Sequence, residues 1–252
     1  MPRVHPVAAA GFGAAADVYE RARPSYPQAA VDWLVARAGL GPGRTVVDVG
    51  AGTGKLTRLL VPTGARVVAV EPVAAMRARL REAVPEAEAL DGTAEDLPLA
   101  DGAADAVTVA QAFHWFDHDR ALPELHRVLR AGGALVLVWN MRDVEHPLQR
   151  GLEDLLAPLR RIADAGSVDW RGALARSGLF GEPEEASFRH EQRLTVDGLC
   201  ERVASTSFVA TMAPAERDEL IARVRALADG LDEPFAFPYV TEVSIVRSET
   251  VC

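Results

Sequence analysis

Three groups of residues have types and spacings that can do chemistry. Gly50-Ala51-Gly52-Thr53-Gly54 sets glycines at alternate positions, Glu71 follows about twenty residues later, and His114 stands in the aromatic run Phe113-His114-Trp115-Phe116. Alternating glycines let bare backbone turn sharply, often at positive φ, and come close to a ligand that side chains would push away. A carboxylate at the position of Glu71 can accept hydrogen bonds from both hydroxyls of an unphosphorylated ribose. Standing alone, it would be a solvated glutamate at a strand end. His114 can take a proton from a hydroxyl or an amine, hydrogen-bond a carboxylate, or be an ordinary loop histidine satisfied by backbone.

The surrounding pattern supplies elements to position them. Thr45 to Val49 is an apolar run interrupted by Asp48, and after the glycine turn a helical pattern spans Thr53 to Leu60, so the chain reads strand, turn, helix. Ala65 to Val70 forms a second strand ending at Glu71-Pro72, followed by a helix from Ala74 to Ala83 and a short third strand from Ala87 to Leu90. Asp105 to Val109 stays apolar, as a buried fourth strand should, and leads into Ala110-Gln111 and the aromatic run. A helix from Asp117 to Arg130 begins acidic and ends basic, in agreement with its dipole, and Ala134 to Trp139 makes a fifth strand. Ligands in an open α/β sheet bind beyond the carboxyl ends of the strands. The glycine turn, Glu71 and the aromatic run all fall at that edge.

Flanking segments read less sharply. Gly11 to Tyr19 suggests a short helix, and Pro24 and Pro27 break the chain before a helix from Gln28 to Ala38. Beyond Asn140, His146 to Ala165, Trp170 to Ser177, Val196 to Ser205 and Pro214 to Leu231 read as helices. Ala186 to Leu194 reads as a sixth strand and Tyr239 to Val246 as a last one.

A glycine turn paired with a ribose acceptor suits either a dinucleotide or S-adenosylmethionine. The dinucleotide fingerprint requires a third glycine where this chain has Lys55, and a phosphate-binding P-loop would need Ser or Thr where it has Leu56. In order and spacing, VVDVGAGTGKLT, VVAVEP, DGTAEDLPL and DAVTVAQAFHWF resemble the successive motifs of class I S-adenosylmethionine-dependent methyltransferases, over about Arg44 to Trp139. The stretch Tyr19 to Pro27, YERARPSYP, is similar to the branch containing trans-aconitate-methyltransferase-like proteins.

That resemblance implies an α/β fold: a Rossmann-like, seven-stranded, mostly parallel sheet with helices on both faces, an antiparallel last strand and a helical cap from the C-terminal half. It implies one methyltransferase domain over 1–252, with lid helices in 1–40, a cofactor-binding core in 44–139, cap insertions in 140–235 and the last strand in 236–252. The implied cofactor contacts are Asp48, Gly50, Ala51, Gly52, Gly54, Glu71, Pro72, Ala110 and Gln111. Met76 would touch the adenine or be plain core, and the backbone of Ala94 with the carboxylate of Glu95 or Asp96 would meet the adenine edge. Tyr19 would close over the reactive end and Arg23 would pair with the methionine carboxylate; otherwise Tyr19 merely packs and Arg23 is solvated. His114, Trp115 and Phe116 would line the acceptor's chamber, with His114 the candidate base.

Composition narrows the partners. A formal charge of −9 and a pI near 5.2 argue against broad capture of nucleic acid or an anionic membrane. Cys200 and Cys252 have no metal-ligand spacing and form no bridge framework, which suits a reducing cytoplasm, and no metal is expected. No apolar run is long enough to span a bilayer. Lys55 is the sole lysine of the chain, and its Arg- and Ala-rich composition suits a GC-rich bacterial genome. The expected activity is methyl transfer to a small molecule. Alternatives sharing these features are a non-methylating use of the same cofactor, a nicotinamide-dependent oxidoreductase and a non-catalytic binding protein.

Overall fold

The computed structural model describes Glu20, 22–162 and 169–249; Tyr19 and the helix expected over Gly11 to Tyr19 lie outside these residues. Seven strands, β1 (Thr45–Val49), β2 (Arg66–Val70), β3 (Glu88–Leu90), β4 (Ala104–Ala110), β5 (Leu129–Arg142), β6 (Glu184–Leu194) and β7 (Phe235–Arg247), form one sheet in the order β3-β2-β1-β4-β5-β7-β6. β1 pairs in parallel with β2 and β4, with Val46 opposite Val67 and Ala106. β7 is antiparallel to both of its neighbours, β5 and β6, and so is the single reversed strand of the sheet.

Strand alternation divides the apolar residues between two faces. Val47, Val68, Val107 and Leu135 pack on one side against Leu122 and Leu125 of α4 (His118–Val128) and Leu174 of α6 (Trp170–Ser177). Val46, Val67, Ala106 and Val136 pack on the other against Leu34 of α1 (Gln28–Ala38) and Leu60 of α2 (Thr57–Leu60). α3 (Ala74–Ala83) follows β2 with the expected bounds. Strands covered on both faces must be apolar along their length, which is why their sequences run almost without polar breaks.

The cap is a third apolar cluster. α5 (Pro147–Ile162) contributes Leu152 and Leu156, α7 (Val196–Ala204) Leu199 and Val203, α8 (Ser207–Ala210) Phe208 and Val209, and α9 (Pro214–Leu227) Leu220 and Val224. Phe235, Phe237 and Tyr239 from the first half of β7 complete it. One long strand therefore belongs to both sheet and cap. No helix among the described residues is long and apolar enough to cross a membrane.

Several expected boundaries move: β7 starts at Phe235 rather than Tyr239, and α9 stops at Leu227 rather than Leu231. The first helix begins at Thr57 rather than Thr53, because Gly52 and Gly54 have φ of 59° and 84°, outside the helical region. After α4 the chain passes directly into β5 at Leu129, and the register shifts between Ala104 and Ala106 of β4 as the Gly132-Gly133 segment is absorbed.

Candidate functional site

The glycine turn is held by the strand beside it. Gly50 and Ala51 donate their N–H groups to the Val70 carbonyl at 2.9 and 3.2 Å, and Gly54 donates to the Ala51 carbonyl at 2.9 Å. At Gly50 the backbone has φ of 68°, and a Cβ there would stand 2.7 Å from the Ala112 Cβ. Only glycine fits that position. Gly52 is the opposite case: a Cβ would meet nothing within 4 Å, so its bare backbone faces open space.

Glu71 closes the turn from the tip of β2. One carboxylate oxygen accepts from the Gly52 N–H at 2.9 Å and the other from the Val73 N–H at 2.8 Å. Burial raises its pKa, while these two bonds and the nearby Arg77 guanidinium draw it back. Arg77 in turn donates to the Glu71 carbonyl at 2.6 Å and pairs with Asp91 at 3.1 Å. Asp48 is a brace inside the sheet: its oxygens accept from the hydroxyls of Thr57 at 2.6 Å and Thr108 at 2.9 Å. Burial pushes its pKa up to about 6.

A cavity opens over the turn. Of the sequence-predicted residues, Arg23, Asp48, Gly50, Ala51, Gly52, Ala110 and Gln111 line it. Glu71 adjoins it through Gly52. Met76 and Ala94 are buried core residues, 3% exposed each. Glu95 accepts from the Asp117 N–H at 3.0 Å, so it caps the start of α4. Pro72 is half-buried. The aromatic run divides: Phe113 is core, Phe116 lies 3.6 Å from where a Gly50 Cβ would stand, and His114 is exposed with its ring 4.7 Å from that of Trp115.

Gln111 takes a left-handed φ of 57°, the sole non-glycine among the described residues to do so. Such a conformation is costly and concentrates where a site dictates it. Its N–H donates to the Val138 carbonyl at 2.9 Å, and its side-chain amide donates to the Asn140 carbonyl at 3.3 Å.

The structure adds residues that the sequence reading passed over. Glu20, within the YERARPSYP stretch, accepts from Arg58 at 2.7 Å and from the Thr53 hydroxyl, while Lys55 donates to its carbonyl at 2.7 Å. Burial lowers the Lys55 pKa and Glu20 opposes this. Glu20 thereby straps the N-terminal segment onto the glycine turn, and Pro24 and Tyr26 of that segment join the cavity wall. At the end of β5, Asn140 donates to the Ser25 carbonyl at 3.1 Å and accepts from Thr241 at 2.6 Å and from His190 Nε2 at 3.2 Å. An accepting amide oxygen places the proton of His190 on Nε2. Burial lowers the His190 pKa, which favours this neutral form. From the cap, Arg202 reaches the same cavity. Asn140 had a readable signal in its place at a strand's carboxyl end; Arg202, in an ordinary amphipathic helix, had none. No cluster of metal-ligating side chains occurs among the described residues.

The comparisons agree with this geometry. The family profile described as a methyltransferase domain matches residues 47–137. An uncharacterised methyltransferase of Mycobacterium tuberculosis is 44% identical over 239 residues, covering 91% of this chain and 92% of its own. A trans-aconitate 2-methyltransferase of Azoarcus is 36% identical over 141 residues, 54% of each chain. Among solved structures, one assigned as a type II methyltransferase from Anaeromyxobacter dehalogenans superposes with a TM-score of 0.65 at 26% identity, covering 90% of this chain and 97% of its own.

Proposed function

The chain belongs to the class I S-adenosylmethionine-dependent methyltransferases, and we propose that it methylates a small molecule at a carboxylate, hydroxyl or amine. The observation that carries the reading is the Gly52–Glu71 hydrogen bond, which fixes a bare-backbone turn against a buried carboxylate at the rim of a cavity. The site suits the cofactor: Gly52 offers open space where any side chain would intrude, and Glu71 is an acceptor at ribose position. Bound there, the cofactor supplies a sulfonium methyl group; the acceptor's lone pair forms the new bond to that carbon while the pair of the broken C–S bond stays on sulfur, leaving S-adenosylhomocysteine.

In this reading Gly50, Ala51, Gly52, Gly54, Glu71, Pro72, Ala110 and Gln111 hold the cofactor, with Met76, Ala94 and Glu95 toward the adenine and Asp48 bracing the turn from below. Arg23, with Tyr19 before it, covers the methionine end. Glu20 supports that assignment, since it ties the segment to Thr53, Lys55 and Arg58 beside the turn. His114, Trp115 and Phe116 serve the acceptor's side. A carboxylate is ionised near neutral pH and needs no base, whereas an alcohol or amine must lose a proton to a group such as His114. We assign 1–252 to one domain in which 140–235 supplies the cap, and place the chain nearest the trans-aconitate-methyltransferase-like branch on the strength of YERARPSYP.

The test is calorimetric titration of the purified protein with S-adenosylmethionine and S-adenosylhomocysteine, followed by turnover on a panel of small carboxylic acids, alcohols and amines. Saturable binding, release of S-adenosylhomocysteine and a product heavier by one CH2 are expected. Glu71→Ala should weaken cofactor binding by about tenfold to a hundredfold, the loss of a charge-assisted ribose contact. Unchanged affinity would remove the ribose assignment.

A further inference from the structure

Two arginines among the described residues are buried to the same degree, and they differ in one respect. Arg77 and Arg202 are each 9% exposed. Arg77 has its counter-ion, Asp91 at 3.1 Å. Arg202, on α7, has none among the described residues: no described carboxylate oxygen comes within 4.0 Å of it, and the one hydrogen bond its side chain makes to a described residue is from Nε to the Tyr239 hydroxyl at 3.1 Å. The guanidinium lies 6.0 Å from the centre of the Tyr239 ring and forms part of the cavity wall. Lys55, another cation of that wall, is met by Glu20 at 3.7 Å.

Withdrawing a guanidinium from water without a counter-ion is costly, and such cations are ordinarily paired. The surroundings of Arg202 hold it in place and leave its charge unspent. Tyr239 occupies Nε and is itself fixed by its ring, stacked on His190 at 5.6 Å and set edge-on to Phe237 at 5.4 Å. Both terminal nitrogens are without an acceptor among the described residues, which is the fork that receives the two oxygens of a carboxylate.

We propose that the methyl acceptor is a carboxylate-bearing small molecule and that Arg202 binds that carboxylate, orienting the acceptor from the cap side of the cavity. This rests on the methyltransferase reading above and adds a residue and a substrate class to it. The planar fork of Arg202 matches the two oxygens of a carboxylate, while Lys55 on the same wall is already met by Glu20.

The experiment saturates the protein with S-adenosylhomocysteine and titrates it with acetate, succinate, adipate and benzoate, with the corresponding amides, and with inorganic phosphate. At least one carboxylate is expected to bind about tenfold or more tightly than its amide. Arg202→Gln should abolish that preference, Arg202→Lys should retain part of it, and both should hold S-adenosylhomocysteine within about twofold of the parent. Equal binding of acids and amides by the parent protein, or preference for phosphate, overturns the proposal without needing any variant to fold. A loss of S-adenosylhomocysteine affinity in Arg202→Gln, with circular dichroism unchanged, also overturns it, because the guanidinium would then serve the cofactor's own carboxylate. Failure of the parent protein to bind S-adenosylhomocysteine is a separate result that removes the methyltransferase reading itself.

Discussion

Replacing Asp48 by Asn separates the brace within the sheet from its charge. Asp48 is 1% exposed, and both of its oxygens are engaged by hydroxyls, at 2.6 Å by Thr57 and 2.9 Å by Thr108. Burial dominates its titration and raises the pKa from 3.8 to about 6, the hydroxyl bonds pulling it only partly back. The folded protein thus holds this proton more tightly than the unfolded chain does. Its contribution to stability is fully present below about pH 4 and is lost as pH rises through about 6. At about 1.4 kcal/mol per tenfold change in proton affinity, the interval between 3.8 and about 6 amounts to about 3 kcal/mol. In Asp48→Asn the amide oxygen accepts one hydroxyl and the amide nitrogen donates to the other, and there is no proton to lose. Denaturant unfolding of both proteins between about pH 4 and about pH 8 measures the difference. The stability of Asp48→Asn relative to the parent should climb by about 2 kcal/mol of that total between about pH 4 and about pH 6.5 and then level off. A difference that is level throughout, or that falls with pH, refutes the reasoning.

Other perturbations follow from the same geometry. Glu20→Ala removes the partner that holds the Lys55 amine charged, so this sole lysine should react about tenfold faster with an amine-directed reagent, read by peptide mass spectrometry; an unchanged rate would mean that the strap does not shield it. Gly50→Ala places a methyl 2.7 Å from Ala112 at φ of 68°, and should cost about 2–4 kcal/mol of stability in denaturant unfolding, together with cofactor affinity. A cost under about 0.5 kcal/mol would show that the turn relaxes freely. His114→Ala alters an exposed side chain, so stability should stay within about 0.5 kcal/mol while kcat on a hydroxyl or amine acceptor falls about a hundredfold. Undiminished kcat on such an acceptor would remove His114 as the base.

Much of the sheet was legible because parallel strands covered on both faces carry nearly continuous apolar runs, and β1, β2 and β4 do so. α1 and α3 match their expected bounds because proline or a turn precedes each and a clear apolar periodicity follows. The first helix is shorter than its sequence pattern suggests, because the pattern does not reveal that Gly52 and Gly54 are held at positive φ. The site was legible where it is local: the glycines and Glu71 come together because β1 and β2 are neighbours in register. Arg202, Asn140 and Glu20 were not, for their partners stand far along the chain. Glu20 meets Arg58, Arg202 meets Tyr239, and Asn140 meets both Ser25 and Thr241. Such pairs exist only after the sheet and the cap have closed.

The place of β7 carries a consequence for how the protein is made. Among the described residues this strand follows every other element, yet it lies between β5 and β6, and its first half forms part of the cap's interior. While a ribosome still holds the C-terminal segment, β5 exposes a long open edge and the cap lacks Phe235, Phe237 and Tyr239. Neither half of the molecule can finish before the other, and the closing contacts span most of the chain. A nascent polypeptide stalled or truncated before Phe235 would be a sticky intermediate for chaperones and proteases to handle, not a smaller working enzyme.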